Sequence, residues 1–126
     1  DSVLMTTKPN DTEMAKVKIY HNPSCTKSRQ TLALLQEQGI DPEIIEYLKT
    51  PPDEATIARM VNYLGIGPGE LIRKKEYKAL GLGETDDPQD LIRRMAKNPQ
   101  IIERPIVVVG KQARLGRPPE QVNQIL

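Results

Sequence analysis

The apolar residues of the N-terminal half follow first a strand spacing, then a helix spacing, then a strand spacing again. Alternation of apolar and polar residues predicts a strand over residues 17–20. A helical stripe predicts a helix over residues 26–38, which Gly39 ends. Residues 43–48 read as a second strand. Two strands joined by a helix within about 30 residues form a βαβ unit, so these strands are expected to be parallel.

The middle of the chain has helical spacing and no strand signal. A helix is predicted to begin at a capping Thr50, with prolines in its first turn, and to end at Gly65. A short helix over residues 68–75 would end in Arg73 and the two lysines that follow it. A third helix is predicted between residues 87 and 98. The apolar positions expected to face the core are Ile57, Met60, Val61, Leu64, Leu91, Ile92 and Met95.

The C-terminal part returns to strand chemistry. Residues 106–109 form the most β-prone run, and a turn at residues 110–111 predicts a hairpin with a return strand over residues 112–115. A last helix is predicted to start at residues 117–119. The order β-α-β, helical block, β-β, α predicts an α/β protein of thioredoxin-like fold. Its mixed four-stranded sheet would carry an inserted helical block.

Length and composition limit the classes of protein that the chain can belong to. Its 126 residues suit one domain. We expect this domain to cover residues 15–126, and the polar, aperiodic residues 1–14 to be a flexible leader or an expression remnant. The 18 Lys+Arg nearly balance the 17 Asp+Glu, which argues against a nucleic-acid or membrane-surface protein. No apolar run approaches the about 20 residues that span a bilayer.

The chain has one cysteine, Cys25, and one histidine, His21. A single cysteine cannot form an internal disulfide, which suits a reducing cytoplasm. It cannot form a dithiol either, so any redox reaction must take its second thiol from another molecule. One cysteine and one histidine are too few for a zinc site with about four protein ligands, and no metal site is expected.

Cys25 stands at the predicted junction of the first strand and the first helix. Unpaired N–H groups and the positive end of the helix dipole favour a thiolate there and also form an anion site. Thr26 and Ser28 add hydroxyl donors. Lys27 and Arg29 add positive charge. A lone cysteine is more often a small buried apolar residue, but these polar neighbours favour a reactive thiol with a lowered pKa.

Two neighbours could act on the thiolate directly. His21 lies four residues before Cys25 and could stabilise the thiolate by a hydrogen bond or by its charge, or it could only cap the turn. Ser28 lies one turn into the predicted helix, where its hydroxyl can donate to the thiolate. Simple capping of the first helical turn is the alternative for Ser28.

Three arginines come from distant parts of the chain. In a thioredoxin-like fold the segment before the third strand lies against the thiol, so the topology places Arg104 near Cys25. A single arginine is most often a solvated surface residue. Convergent arginines around a thiolate would bind a tetrahedral oxyanion through paired N–H donors. The three candidates are Arg73, Arg104 and Arg117.

The motif around the cysteine resembles that of a known family. The sequence His21-Asn22-Pro23-Ser24-Cys25, followed by Ser28-Arg29, is similar to the H-N-P-x-C-x-x-S-R signature of the glutaredoxin-linked arsenate reductases, the ArsC family. The resemblance covers nearly the whole chain, from about residue 15 to residue 126. Thr26-Lys27 stands where members of that family typically carry Gly-Thr. Further segments that carry the resemblance are Tyr47-Leu48 with Pro51-Pro52, Leu71-Ile72-Arg73-Lys74, Arg104-Pro105-Ile106-Val107-Val108 and Arg114-Leu115-Gly116-Arg117-Pro118.

The resemblance implies a role for each candidate residue. Cys25 would be the nucleophile, His21 the residue that activates the thiolate and Ser28 the hydroxyl that supports it. Pro105 would be the cis-proline of the fold. The residues that would bind the substrate oxyanion are Arg73, Arg104 and Arg117.

The reaction implied by the resemblance is the reduction of arsenate to arsenite in the cytoplasm. Cys25 would attack arsenate to form a thiol-arsenate adduct, and glutathione would then join the arsenic. Glutaredoxin would remove the glutathione as a disulfide and release arsenite. The implied partners are arsenate, glutathione and glutaredoxin, with glutathione as a co-substrate and no bound cofactor. This need for external thiols agrees with the single cysteine.

Three other functions stay open at this point. A monothiol oxidoreductase acting on glutathione mixed disulfides would use Cys25 but would not need three anion-binding arginines. A non-enzymatic regulator of the thioredoxin fold would usually carry a Cys-x-x-Cys switch, whose second position here is Ser28. A phosphatase-like thiol enzyme would need a Cys-x5-Arg loop, whereas Arg29 is only four residues after the cysteine.

Overall fold

Four short strands form one mixed sheet in the part of the chain that the computed structural model describes, residues 16–126. Strands β1 and β2 are parallel, whereas β3 runs antiparallel to β1, and β4 runs antiparallel to β3. The spatial order β2-β1-β3-β4 confirms the predicted thioredoxin-like fold. The predicted leader, residues 1–14, lies outside the described residues. The strands are β1 (Val17–His21), β2 (Glu43–Glu46), β3 (Ile106–Val109) and β4 (Gln112–Leu115).

Helices cover both faces of this sheet. The α-helices are α1 (Thr26–Glu37), α2 (Glu54–Leu64), α3 (Lys74–Ala79) and α4 (Pro88–Lys97). Three 3-10 helices span Pro68–Leu71, Pro99–Ile101 and Pro119–Ile125. The last of these replaces the predicted final helix and begins at Pro119, since Pro118 still has an extended backbone.

The core has two parts because neighbouring residues of a strand point to opposite faces of the sheet. Ile19 packs on the face of α1 and the C-terminal 3-10 helix, and Tyr20 packs on the face of α2 and α4. Of the seven apolar positions predicted to face inward, five are buried, and Leu64 and Leu91 are partly buried against the same cluster. The helical spacing therefore identified this part of the core correctly.

The predicted cap of the second helix is wrong. The N-cap of α2 is Asp53, whose Oδ1 accepts a hydrogen bond of 2.8 Å from the Thr56 N–H. Thr50 lies three residues earlier, in a turn where its N–H donates to the Glu46 carbonyl. An aspartate directly before the helix satisfies an unpaired N–H, and the prolines therefore precede the helix. The same turn ends β2 at Glu46, two residues before the predicted end.

The predicted helix over residues 68–75 is also wrong. The chain forms a 3-10 helix up to Leu71, then pairs Ile72 with Ile102 in an antiparallel bridge, and only then begins α3 at Lys74. Arg73 is the N-cap of α3, so it precedes a helix instead of ending one. Its N–H donates to the Ile101 carbonyl at 2.7 Å, a tertiary hydrogen bond that replaces a helical one.

Candidate active site

Cys25 is the N-cap of α1 and lies directly after the tight turn that follows β1. Its N–H donates to the Asn22 carbonyl at 3.0 Å, and its own carbonyl accepts from the Arg29 N–H at 3.0 Å. The Asn22 side chain accepts from the Ser24 N–H at 3.0 Å, which shapes the turn. The cysteine is neither fully buried nor fully exposed. The thiol is therefore held at the first turn of a helix and is open to a small reactant.

The Cys25 thiol has a pKa below its ordinary value, as expected. Burial raises the pKa, but three other groups outweigh it. The Ser28 N–H at the start of α1 and the Arg104 guanidinium lower the pKa most, and the Lys27 N–H adds a weaker contribution. These groups favour the charged form, so Cys25 is a thiolate over a wider pH range than a free cysteine.

His21 and Ser28 contact each other. The Ser28 hydroxyl accepts from the Asn22 N–H at 3.0 Å and lies 2.7 Å from His21 Nδ1. All these groups are satisfied when the hydroxyl donates its proton to Nδ1 of a neutral imidazole. Ser28 thus reaches the sulfur through its backbone N–H, while its hydroxyl joins the end of β1 to α1.

His21 is buried, with 6% of its surface exposed. Burial lowers the pKa of the imidazole; Glu46 raises it and Arg29 lowers it further, and the net shift is downward. A neutral His21 is therefore the form that this environment favours. In the described structure, the hydrogen-bond partner of its Nδ1 is Ser28, not the thiol.

Arg104 comes from the segment directly before β3, as the topology predicted. It precedes Pro105, and the peptide bond between them is cis. Its guanidinium lowers the pKa of the Cys25 thiol, and its Nε is buried without a hydrogen-bond partner. The structure thus brings Arg104 to the thiol.

Arg73 reaches the same region from the N-terminus of α3. Its Nε lies 3.0 Å from Glu76 Oε1, and its Nη2 donates to Glu76 Oε2 at 3.1 Å. Its Nη1 lies 3.6 Å from Glu103 Oε1. Glu76 raises the pKa of Arg73 most strongly, and the charges of Glu103 and Cys25 raise it further. Arg73 is thus within electrostatic reach of the thiol but is paired with two carboxylates.

Arg117 is exposed, and its side chain contacts the segment that contains Arg104. Its Nη1 donates to the Arg104 carbonyl at 3.1 Å, across the loop that follows β4. The next peptide bond, to Pro118, is a second cis bond that the sequence did not indicate. The structure therefore joins Arg117 to the backbone of Arg104.

Arg29 closes the turn that carries the cysteine. Its Nη1 donates to the Pro23 carbonyl at 2.8 Å, and its Nη2 donates to Thr26 Oγ1 at 3.2 Å. In the second contact the Thr26 hydroxyl, which the sequence offered as an anion donor, is the acceptor. Arg29 acts here on the shape of the turn, and its charge contributes to the lowered pKa of His21.

Sequence reasoning assigned no role to three residues that interact with the thiol or with its arginines. Tyr47 is 2% exposed, and its hydroxyl pKa is raised, first by burial and also by the Cys25 charge, against the lowering effects of Arg104 and Asn22. A tyrosine at the end of a strand gives no signal of such a role. The other two residues are the partners of Arg73, namely Glu76 and Glu103. Only the three-residue spacing of Arg73 and Glu76 could have suggested one of them.

Within residues 16–126 there is no group of three or more His, Cys, Asp or Glu side chains placed to hold a metal ion. None of the helices in that part of the chain is long and apolar enough to cross a membrane.

Comparison with known proteins gives one family. A family model described as the ArsC family matches residues 20–125. An uncharacterised protein of Escherichia coli K12, YfgD, is 50% identical over 115 residues, which cover 88% of this chain and 97% of that protein. A protein named arsenate reductase from Neisseria meningitidis (strain Z2491) is 42% identical over 117 residues, covering 90% of this chain and 100% of that one.

A solved structure agrees with these sequence matches. The structure named arsenate reductase from Vibrio cholerae has a TM-score of 0.83 and 50% sequence identity, and the match covers 88% of this chain and 98% of that one. The similarity therefore includes the sheet, the helical block and the loop that carries the cysteine.

Proposed function

The chain belongs to the ArsC family, and on that premise we propose that it reduces arsenate to arsenite with Cys25 as nucleophile. Glutathione and glutaredoxin supply the electrons. One observation carries the proposal: the thiol lies at the start of α1, where the Ser28 N–H and the Arg104 guanidinium lower its pKa. A nucleophilic sulfur beside fixed cationic donors is the arrangement that attack on an anion requires.

The arginines bind arsenate in this proposal. A guanidinium offers planar pairs of N–H donors that match two oxygens of a tetrahedral anion. Arg104 holds one pair of oxygens beside the sulfur, and Arg73 supports the far side from α3. Arg117 fixes the Arg104 segment through its hydrogen bond to the Arg104 carbonyl. The positive charges offset the repulsion between thiolate and anion.

The first step forms a bond between sulfur and arsenic. The Cys25 thiolate attacks As(V), and one arsenate oxygen leaves as water after taking up protons. The product is a thiol-arsenate adduct in which the arsenic is still As(V). The Ser28 N–H and the Arg104 guanidinium stabilise the sulfur before the attack, and the arginines stabilise the charge on the arsenate oxygens.

The second part transfers two electrons. The glutathione thiol joins the arsenic and displaces a second oxygen as water. A glutaredoxin thiolate then attacks the glutathione sulfur, so a mixed disulfide forms and the electron pair of the broken S–As bond stays on arsenic as As(III). Hydrolysis releases arsenite and returns the Cys25 thiol. The single cysteine makes an external thiol necessary, and such thiols are maintained in the reducing cytoplasm.

The arginines distinguish this function from reduction of glutathione mixed disulfides. A mixed disulfide has no tetrahedral anion at its sulfur atoms, so its reduction does not require guanidinium groups from three separate segments. A regulator built on a Cys-x-x-Cys switch is less suited, because Ser28 stands at the second position and its hydroxyl is committed to His21.

The test is a coupled assay. Arsenate-dependent consumption of NADPH is measured with glutathione, glutaredoxin and glutathione reductase, and a glutathione mixed disulfide replaces arsenate in a parallel reaction from which glutaredoxin is omitted. We expect consumption with arsenate that requires every component. Turnover of the mixed disulfide alone would reject the proposal in favour of the monothiol oxidoreductase.

The Cys25→Ser variant is the matched control of this assay. We expect no arsenate reduction, because a serine hydroxyl is far less acidic than this thiol and cannot take part in disulfide exchange. We expect the fold to be unchanged, since Cys25 is only partly buried, and circular dichroism and thermal unfolding check this. Full activity of the serine variant would exclude the mechanism.

A further inference from the structure

The buried side-chain atoms without a hydrogen-bond partner gather at one place. Within residues 16–126, such nitrogen and oxygen atoms are Arg73 Nε, Glu76 Oε1, Glu103 Oε1 and Arg104 Nε. The ion pair of Arg73 Nε and Glu76 Oε1 has a short distance of 3.0 Å without hydrogen-bond alignment. Unsatisfied buried polar atoms are rare in proteins and call for a functional explanation. Here they border the site of the thiol.

The two carboxylates hold Arg73 in different ways. Glu76 lies along the side of the guanidinium, at 3.0 Å from Nε and 3.1 Å from Nη2. This contact does not involve Nη1, which can therefore bind another partner. Glu103 Oε1 lies 3.6 Å from Nη1, an ion pair too long for a hydrogen bond. The Glu103 carboxylate thus lies beside Nη1, the donor group of Arg73 that Glu76 does not contact and that an anion could bind. Its ion pair with this group is weak.

The backbone keeps Glu103 in this place. The Glu103 N–H donates to the Leu71 carbonyl at 2.7 Å, and the Arg73 N–H donates to the Ile101 carbonyl at 2.7 Å. These two bonds flank the bridge between Ile72 and Ile102. The carboxylate therefore stays opposite Arg73, and only rotation of its side chain, which is 27% exposed, can move it away.

The carboxylates of the site reduce its positive charge before any anion binds. A thiolate and two carboxylates oppose three guanidinium groups, so they offset part of the positive charge that an arriving anion meets. At a separation of a few ångströms this balance changes anion affinity strongly, even with partial solvent screening. The groups counted are Cys25, Glu76 and Glu103 against Arg73, Arg104 and Arg117.

We propose that Glu103 limits the affinity of the site for tetrahedral oxyanions, because its carboxylate occupies the Arg73 Nη1 position that a bound oxyanion takes. Phosphate has the shape and charge of arsenate but cannot be reduced. Weak binding before the chemical step lets phosphate leave, whereas arsenate is retained through its bond to sulfur. Glu76 has the separate task of positioning the guanidinium. The inference rests on the proposed function for the identity of the reacting anion.

The experiment measures anion binding without turnover. Iodoacetamide alkylates Cys25, the only cysteine of the chain, and inorganic phosphate bound at the arginines slows that reaction. The phosphate concentration that halves the alkylation rate is determined at constant pH and ionic strength for the wild type, Glu103→Gln and Glu37→Gln. Glu37 is the matched control, because it is exposed at the far end of α1.

We expect Glu103→Gln to lower the half-protecting phosphate concentration about fivefold and Glu37→Gln to leave it unchanged. The KM for arsenate should fall by a similar factor while kcat stays within about twofold. An unchanged or higher half-protecting concentration in Glu103→Gln, or no protection in any form of the protein, would overturn the proposal.

Two controls separate this result from other failures. If Glu103→Gln does not fold, Glu103→Asp keeps the charge but withdraws it by one methylene, and should lower the half-protecting concentration by a smaller factor; no decrease overturns the proposal. A shift in phosphate protection without arsenate reduction in the wild type would refute the proposed function and leave the role of Glu103. Arsenate reduction by the wild type, without a shift in phosphate protection in Glu103→Gln, would support the proposed function and refute the role of Glu103.

Discussion

The acidity of one sulfur depends on groups from two distant segments. The Ser28 N–H belongs to the same helix turn as Cys25, whereas Arg104 comes from the loop before β3. Burial acts against both of them, so the lowered pKa of the thiol is a balance that one substitution can reverse. Arg104 is the side chain whose removal tests this balance most directly.

Arg104→Ala is expected to raise the pKa of the Cys25 thiol and to lower kcat/KM for arsenate about tenfold to a hundredfold, because it removes one charge-assisted hydrogen bond. The pH dependence of the alkylation rate reports the pKa, and the coupled assay reports kcat/KM. Lys111→Ala, in the exposed turn between β3 and β4, removes a positive charge and should change neither quantity. Equal effects of both substitutions would contradict the role of Arg104.

His21 should make stability depend on pH. Its pKa is lowered in the folded protein, so the unfolded chain binds a proton at a higher pH than the folded one. The stabilisation is fully present above the ordinary imidazole pKa of about 6.5 and is lost as the pH falls toward the folded value. We expect the free energy of unfolding to decrease more steeply between about pH 7 and pH 5 for the wild type than for His21→Asn. Parallel curves from denaturant titrations would exclude this assignment.

At the scale of elements, α1 touches the loop after β4 at a glycine. A Cβ atom at Gly116 would lie 2.8 Å from Pro105 Cγ and closer still to Thr31 Oγ1. Thr31 is fully buried on α1, and Pro105 follows Arg104 in the segment before β3. The close approach therefore helps to place the helix that carries the thiol beside the loop that carries the arginine.

Gly116→Ala is expected to lower the free energy of unfolding by about 1–3 kcal/mol, the usual range for overpacking. Gly69→Ala is the control, because the nearest atom to its Cβ would be Leu91 Cδ1 at 3.8 Å, an ordinary contact. Denaturant unfolding measures both variants. A Gly116 variant as stable as the Gly69 variant would show that the two segments can separate without cost.

The bridge between residues 71–73 and 101–103 is the element that sequence periodicity could not indicate. It has one residue pair, Ile72 with Ile102, and the helical pattern of residues 68–75 concealed it. Its hydrogen bonds bring Arg73 beside Glu103, two residues thirty positions apart. A single pair leaves no alternation to detect, since strand signals need about four consecutive residues.

At the scale of the molecule, the core on the α2 and α4 face supports the site. Leu71 is fully buried in it, two residues before Arg73. Leu71→Ala should lower the free energy of unfolding by about 2–5 kcal/mol, whereas Leu48→Ala, at a site that is 44% exposed, should lower it much less. Chemical denaturation followed by circular dichroism provides the comparison. A similar loss in both variants would mean that Leu71 does not belong to a tightly packed core.

The family and the thioredoxin-like fold, both predicted from the sequence, are confirmed by the family match and by the solved relatives. Strand and helix periods repeat over several residues, so they identified most elements and most core positions. The turn residues before Cys25 also predicted the start of α1, because a helix terminus is a local feature.

The sequence by itself determined the order of the strands, the place of the thiol at a helix start and the absence of a second cysteine. Only the tertiary structure decided that Ser28 uses its hydroxyl for His21, that Tyr47 lies near the sulfur, and that Glu76 and Glu103 pair with Arg73. The physical reason is range. Helix ends and apolar periods arise from residues within a few positions of one another, whereas charge pairing and burial depend on which distant segments the fold brings together.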